Sequence, residues 1–152
     1  MSETGGTIRG RCHCGRIAFR FESALAPQAL SLRRCGCSFC RRHGARTTSD
    51  PAGSVRFDIA EASALRRYRF GLRSADFLLC AECGVYLGAV IEVNGRAYAT
   101  LNANCFEGEA LTQEAPIVVY EGESLEQRMA RRAARWTPVM GRSEGYDRLM
   151  SS

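Results

Sequence analysis

The sequence predicts a mainly β protein of antiparallel sheets with one short C-terminal helix, held together by bound metal. Apolar and polar residues alternate along 16–22, which is the pattern of a strand with one buried face. Asn94-Gly95 is a strong signal for a two-residue hairpin turn, and it separates an apolar run at 85–93 from a partner strand at 96–101. Seven of the eight cysteines fall into close groups, which indicates metal ligands.

Further strands are expected between these signals. Short apolar or alternating segments predict strands at 30–34, 55–59, 65–70 and 75–79. Between 41 and 53 the composition turns to Arg, Thr, Ser, Asp, Pro and Gly, which predicts a loop. A loop next to a cysteine group is a reasonable place for substrate contacts.

The predicted helix begins at Ser124, where Gln127 completes a capping box, and it ends at Pro138. Its apolar residues share one face and its arginines lie elsewhere: Leu125, Met129, Ala133 and Trp136 against Arg128, Arg131, Arg132 and Arg135. We expect a helix packed on the sheet with a solvated basic side. Residues beyond Gly141 are expected to form a frayed tail.

Length and charge narrow the class of protein. A chain of 152 residues fits one domain with its own core. We find neither a signal peptide nor an apolar run long enough to span a membrane, and therefore expect a cytoplasmic protein whose thiols stay reduced. The net charge is +5, and all 21 basic residues are arginine. Without lysine, Schiff-base chemistry is excluded, and carbonyl chemistry would depend on sulfur or metal.

The spacing of the cysteines predicts two metal sites. The groups are Cys12 with Cys14, Cys35 with Cys37 and Cys40, and Cys80 with Cys83. Structural zinc usually takes four protein ligands, and catalytic zinc takes three plus an exchangeable one. The simplest partition joins the two pairs into a closed four-thiol group and leaves the three central cysteines, called the triplet, as an open site. A disulfide cluster is the alternative, and a reducing compartment disfavours it.

A fourth ligand would close the triplet, and three residues are candidates besides a substrate thiol. His43 follows Cys40 at a Cys-x-x-His spacing and is the better candidate, either as a ligand or as a proton carrier near neutral pH. His13 lies between the first pair of cysteines, and we expect it to be a spacer. Cys105 stands alone after a strand, where a cysteine is more often a small buried hydrophobic residue.

Three motifs surround the cysteine groups. They are 10–15 (GRCHCG), 35–45 (CGCSFCRRHGA) and 77–84 (FLLCAECG). In the order and spacing of these motifs the chain resembles the glutathione-dependent formaldehyde-activating enzyme family, from about Thr7 to Trp136. The resemblance implies a zinc-stabilised β-tent fold, a single domain over 1–152 and a core at about 7–136.

The resemblance also implies an activity and its metals. Zinc would be bound twice per chain, as a structural ion on Cys12, Cys14, Cys80 and Cys83 and as a catalytic ion on Cys35, Cys37 and Cys40, and the second ion can be labile. The activity would be that of a carbon–sulfur lyase, an S-(hydroxymethyl)glutathione synthase, with glutathione as co-substrate. The chain departs from the family at Gly36, where a histidine is usual, and at 102–105, where a Gly-Leu-Asp-like run is usual.

The expected reaction is the addition of a thiol to a small aldehyde. Zinc with three thiolates can keep a fourth thiol deprotonated, and the thiolate is the nucleophile. Glutathione sulfur would add to formaldehyde or another small aldehyde to give an S-hydroxymethyl adduct. Arg41, Arg42 and Arg46 flank the triplet and would pair with the carboxylates of glutathione, or form only an exposed basic loop. Together with the triplet, His43 completes the predicted catalytic set.

Other functions on the same fold remain open. One is a zinc module without catalysis that binds nucleic acid or a protein partner, and another is a redox or metal sensor whose triplet releases zinc on oxidation. The expected partners are a small aldehyde and a thiol, with no membrane. Nucleic acid is not favoured, and the sequence is compatible with a homo-oligomer.

Overall fold

The alternating segments of the sequence form antiparallel sheets. The computed structural model describes residues 5–150, which contain eleven strands and three α-helices. The strands are β1 (Thr7–Arg11), β2 (Ile17–Glu22), β3 (Arg34–Cys35), β4 (Thr47–Thr48), β5 (Ser54–Ile59), β6 (Leu65–Tyr68), β7 (Asp76–Cys80), β8 (Tyr86–Val93), β9 (Arg96–Asn102), β10 (Ile117–Val118) and β11 (Thr137–Pro138). The helices are α1 (Ser38–His43), α2 (Leu125–Arg135) and α3 (Glu144–Met150). The fold is mainly β, as predicted.

A three-stranded antiparallel sheet has β2 at its centre, between β1 and β5. Ile17, Phe19 and Phe21 of β2 are buried, whereas the side chains between them are partly or fully exposed. Phe19 lies opposite Phe57 on β5, and the two rings meet edge-on with their centres 6.1 Å apart. The predicted pattern of one buried face is confirmed here.

The larger sheet has the order β11-β9-β8-β7-β6, and β4 pairs with β9 from outside that path. Asn94 and Gly95 connect β8 to β9 with φ angles of 52° and 79°, which is the left-handed geometry of a tight hairpin turn. Tyr86 to Ile91 of β8 are all buried, so the predicted buried strand is confirmed. The main core lies between the two sheets and joins side chains such as Phe57 and Leu101.

A short parallel pair is an addition to the predicted antiparallel architecture. β3 pairs with β10, which sets Cys35 opposite Val118. The N–H of Gly36 extends the pairing by donating a hydrogen bond of 2.9 Å to the carbonyl of Val118. A side-chain Cβ at Gly36 would lie 3.2 Å from a methyl group of Val119. The pair therefore carries the segment around Val119 to the end of the strand that bears Cys35.

The predicted loop at 41–53 is wrong at its start, where α1 continues to His43, and in its middle, where β4 forms. The thiol of Cys37 is the N-cap of α1 and accepts a 3.3 Å hydrogen bond from the N–H of Cys40. Gly44 ends the helix in the left-handed conformation, with φ of 61°. Local capping thus makes a helix from residues whose composition is typical of a loop.

The second helix begins as predicted but presents different residues to its surroundings. Ser124 and Gln127 form the reciprocal capping box, and α2 ends at Arg135, before β11 pairs with β9. Leu125 is 51% exposed, so its place on the predicted packed face is wrong. Arg128, Arg131 and Arg132 are half-buried, and the prediction of a wholly solvated basic side is wrong for them. They lie over a cavity rather than towards bulk solvent.

The predicted frayed tail is wrong as well, because residues beyond Gly141 form α3 and contribute to the core. Tyr146 is 1% exposed and stacks on Phe57 with ring centres 5.7 Å apart. A Cβ at Gly145 would lie 2.7 Å from the carbonyl oxygen of Ile59, so only glycine allows this close approach. Burial of the Tyr146 ring therefore stabilises α3, whose short and polar sequence does not by itself predict a helix.

Candidate metal centres and the adjoining cavity

Two turns bring four thiols together. Cys12 and Cys14 lie between β1 and β2, whereas Cys80 ends β7 and Cys83 lies in the turn between β7 and β8. Their sulfur atoms all lie within 4.8 Å of one another. The Sγ atoms of Cys12 and Cys14 are 3.7 Å apart, and those of Cys14 and Cys80 are 3.5 Å apart. The fold therefore assembles the four-thiol group that the spacing predicts.

These four thiols fit a zinc ion. Tetrahedral zinc with bonds to sulfur of about 2.3 Å places the sulfur atoms about 3.8 Å apart, close to the observed separations. Backbone N–H groups donate to two of these sulfur atoms: that of Ile17 to Cys12, and those of Glu82 and Cys83 to Cys80, each at 3.4 Å. Four ligands make a closed site, which suits a structural metal.

The triplet is assembled by β3 and α1. Cys35 ends β3, Cys37 caps α1, and Cys40 lies buried in its first turn. Their three sulfur atoms lie within 4.8 Å of one another, and among the described residues no further His, Cys, Asp or Glu joins them. The ring of Phe39, between the last two cysteines, contacts five other rings. This aromatic packing fixes α1 and with it the position of two thiols.

Mutual hydrogen bonds give the three thiols of the triplet unequal pKa values. Bonds from the thiols of Cys35 and then Cys40 lower the pKa of Cys37 to about 2. The bond to Cys37 raises the pKa of Cys35, and bonds to both neighbours raise that of Cys40. The thiol of Cys37 therefore loses its proton more readily than those of its two neighbours, and a soft divalent cation such as zinc would let all three lose their protons. The donor set fits zinc with an exchangeable fourth ligand.

The structure places the candidate fourth ligands outside the triplet. His43 ends α1, and its ring packs against Phe39 with ring centres 4.5 Å apart. Cys105 is buried and donates a 3.4 Å hydrogen bond to the carbonyl of Tyr86, and burial raises its pKa to about 12. His13 is exposed beside the four-thiol group. The proton-carrier role of His43 stays a prediction.

The three arginines predicted to hold glutathione have other surroundings. Arg41 and Arg42 are exposed, and the guanidinium of Arg42 donates to the carbonyl of Ser38 at 3.0 Å. Arg46 donates to Asn104 at 2.8 Å and to the carbonyl of residue 111 at 2.6 Å. None of the three lines the cavity described next. Their role in binding glutathione stays a prediction.

A cavity of about 250 Å³ opens beside the triplet. All three thiols line it, whereas the cysteines of the four-thiol group do not. Its apolar walls come from β7, β8 and the segment that follows β10, with Phe77, Ala89 and Val119 among them. Trp136, the chain's single tryptophan, follows α2, packs in one cluster with Ala89 and also lines the cavity. The cavity thus joins a reactive thiol group to a shaped, mostly apolar space.

Tyr86 forms part of the cavity wall and was not anticipated from the sequence. It is 2% exposed, and its ring meets that of Phe39 edge-on at 5.0 Å. Burial and then the neighbouring thiols raise its pKa well above the usual value, so its hydroxyl keeps its proton. Its place in the apolar run of β8 gave no sign that it faces the triplet.

Four arginines line the same cavity, and the sequence analysis did not predict this position for any of them. Arg128 and Arg131 of α2 share Glu123, at 3.4 Å and 2.7 Å. The other two, Arg33 and Arg132, form no ion pair with a carboxylate in the described part of the chain. The one available signal was the position of Arg33, two residues before Cys35 in the predicted strand at 30–34.

None of the helices in the described residues is long and apolar enough to cross a membrane.

The residues that match a known family include both thiol groups. The model of the family described as glutathione-dependent formaldehyde-activating enzyme matches residues 7–121, which ends before α2. A Rhodobacter sphaeroides protein, whose crystal structure was solved as a Northeast Structural Genomics target, is 33% identical; the similarity covers 72% of this chain and 99% of that one, with a TM-score of 0.54. No curated protein matches. With both thiol groups inside the matched residues, the chain belongs to the glutathione-dependent formaldehyde-activating enzyme family.

Proposed function

We propose that the protein is a zinc-dependent, carbon–sulfur lyase-like enzyme that adds a thiol such as glutathione to formaldehyde or another small aldehyde. The product is an S-hydroxymethyl adduct or its homologue. Two zinc ions per chain and a cytoplasmic location are part of this proposal. The location is proposed because eight cysteines outside disulfides are typical of a reducing compartment.

The observation that carries the proposal is the different surroundings of the two thiol groups. The four-thiol group is a complete ligand set, and its cysteines lie outside the cavity lining. The triplet offers three ligands, and all three sulfur atoms belong to residues of the cavity wall. A metal that served only the fold would gain nothing from a cavity beside it.

The chain's own residues supply the surroundings for the reaction. Zinc on the triplet would supply a position at which a substrate thiol loses its proton and becomes nucleophilic. The aromatic wall of Phe77 and Tyr86 excludes water from the approaching aldehyde. The Tyr86 hydroxyl, which stays protonated, can donate a hydrogen bond to the aldehyde oxygen as charge develops there.

The bonds balance without an oxidant or reductant. The carbon–sulfur bond forms, the π bond of the aldehyde carbonyl breaks, and the proton lost by the thiol is balanced by the one gained at the new hydroxyl. Tyr86 or His43 would relay that proton, and Arg41, Arg42 and Arg46 would approach a glutathione tail that extends beyond the cavity. These roles are parts of the same proposal.

The test combines metal analysis with exchange NMR of formaldehyde and glutathione. We expect about two zinc ions in the native protein and one in Cys35→Ser, with the faster adduct exchange lost in that variant. Ser38→Ala, an exposed change in α1, is the matched control and should keep both. Circular dichroism checks that the variants are folded.

The result separates the enzyme from its rivals. Native protein that leaves the exchange rate at its buffer value would overturn the assignment to formaldehyde and glutathione. Zinc released from the triplet by mild oxidation, with no effect on exchange in the reduced protein, would favour a sensor.

A further inference from the structure

Two arginines in the cavity form no ion pair with a carboxylate of the described residues. Arg33 donates to the hydroxyls of Ser49 and Thr100, at 2.8 Å and 3.2 Å. Arg132 donates to the hydroxyl of Ser74 at 3.0 Å, and its Nε is buried without a hydrogen-bond partner among the described residues. Neutral groups therefore orient both guanidinium groups, and neither is paired with a carboxylate of the described residues, although Cys35 acts on both electrostatically and Glu123 acts on Arg132.

Their charge is costly where it lies. Burial lowers the pKa of Arg132 to about 10. Arg128 and Arg131 add further positive charge, and Glu123, which could offset it, is already bonded to those two. A half-buried cation without a partner destabilises the fold, and binding of an anion would recover that free energy.

Other charged groups around the cavity do not supply the missing partner. Glu121 lines the cavity but is exposed and forms no ion pair with either arginine. Arg132 instead lies over the Trp136 ring, with its guanidinium carbon 4.9 Å from the ring centre. The guanidinium is thus packed on one side and has an unused donor.

We propose that Arg33 and Arg132 form a carboxylate-binding subsite in the cavity beside the triplet. A guanidinium binds a carboxylate through two parallel hydrogen bonds, and two such groups with no acid of their own would select an acidic ligand. The carboxylate comes from the thiol substrate, as in glutathione, or from the aldehyde, as in a 2-oxo acid such as glyoxylate. The identity of the reacting group rests on the proposed function, but binding of the acid does not.

Trp136 provides a direct measurement, because it is the single tryptophan and contacts Arg132. Its fluorescence can be titrated with S-methylglutathione, which has carboxylates but no free thiol, and with the dimethyl ester of the same compound. A second pair is glyoxylate against glycolaldehyde. A substitution of Arg132 changes the surroundings of Trp136 and with them its fluorescence, so the titrations of that variant are repeated by isothermal calorimetry.

We expect one acid to bind saturably and its uncharged counterpart to bind at least about tenfold more weakly, as loss of a charge-assisted hydrogen bond implies. The acid that saturates identifies the source of the carboxylate. Arg33→Met and Arg132→Met should each weaken its binding about tenfold or more while zinc content stays unchanged. Arg20→Met, an exposed change on β2 in the other sheet, should have no effect.

Several outcomes would overturn the subsite. Equal binding of acid and neutral analogue would do so, and so would unchanged affinity in both arginine variants. Weakening found in an Arg41→Met and Arg42→Met double variant alone would move acid recognition to α1, and tighter binding of inorganic phosphate than of either acid would replace the carboxylate. Because the probes carry no thiol, binding without adduct exchange would overturn the proposed function and leave the subsite standing.

Discussion

The side-chain amide of Asn102 donates a hydrogen bond of 2.9 Å to the backbone carbonyl of Tyr86. The thiol of Cys105 donates to the same carbonyl at 3.4 Å, so two residues of one short segment hold the position of Tyr86. The same segment, 102–105, is where the sequence analysis expects a departure from the family pattern. Its residues therefore act on the cavity through its wall, by bonds to the backbone rather than by contact with a ligand.

Asn102→Ala should lower the free energy of unfolding by about 1–3 kcal/mol, because a buried amide and the carbonyl it serves lose their bond. Chemical denaturation of the zinc-loaded protein measures the change. Gln28→Ala, an exposed change in a 3-10 helix, is the control and should stay within about 0.5 kcal/mol of the native value. A native-like Asn102→Ala would show that the bond does not hold the wall.

Loss of one ligand should have unequal effects at the two thiol groups. Structural zinc contributes on the order of 10 kcal/mol to the folding of small zinc peptides, so Cys80→Ser should lose several kcal/mol of stability. Cys35→Ser should lose less than about 2 kcal/mol, because the sheets do not depend on the triplet. Thermal unfolding with parallel zinc analysis checks both. Similar losses in the two variants would contradict the division into a structural and an open site.

Tyr86→Phe should slow adduct exchange about 10²-fold and leave the zinc content unchanged, because it removes a proton donor but keeps the aromatic contacts. Exchange NMR at saturating thiol measures the rate. Tyr68→Phe is the matched control, since the Tyr68 ring also contacts that of Phe39 but lies outside the cavity lining. If both variants kept the native rate, the role of Tyr86 would be restricted to packing.

Tyr146→Ala should lower the free energy of unfolding by about 3–5 kcal/mol, the cost of removing a buried aromatic ring. Denaturant unfolding measures the loss. Arg148→Ala in the same helix removes only an exposed ion pair with Glu144, and should cost about 0.5 kcal/mol or less. A small effect of Tyr146→Ala would restore the prediction of a frayed tail.

Features set by neighbouring residues could be predicted from the sequence. Cys12 and Cys14 lie two positions apart, and the Ser124 and Gln127 capping box spans a single turn, so the thiol pairs and the start of α2 follow from spacing. The partition of the pairs followed from ligand counting, which does not require a knowledge of the fold. The hairpin at Asn94 and Gly95 is equally local.

Features set by distant residues could not be predicted in this way. Arg33 and Arg132 line one cavity although 99 positions separate them along the chain. A helical pattern assigns arginine to solvent, because the pattern contains no information about a cavity under α2. Tyr146 is similar: its burial depends on stacking against the ring of Phe57, and seven residues of helix carry too weak a periodicity to indicate it.

The position of α2 outside the family match at 7–121 has a consequence for how related proteins can diverge. Both thiol groups and Arg33 lie within the matched residues, whereas Arg132 and Trp136 lie beyond them. Exchange of the C-terminal segment alone would leave the metal chemistry intact and replace half of the ligand recognition. A chimera with another C-terminal segment would then bind a different acid while it keeps the same thiol groups.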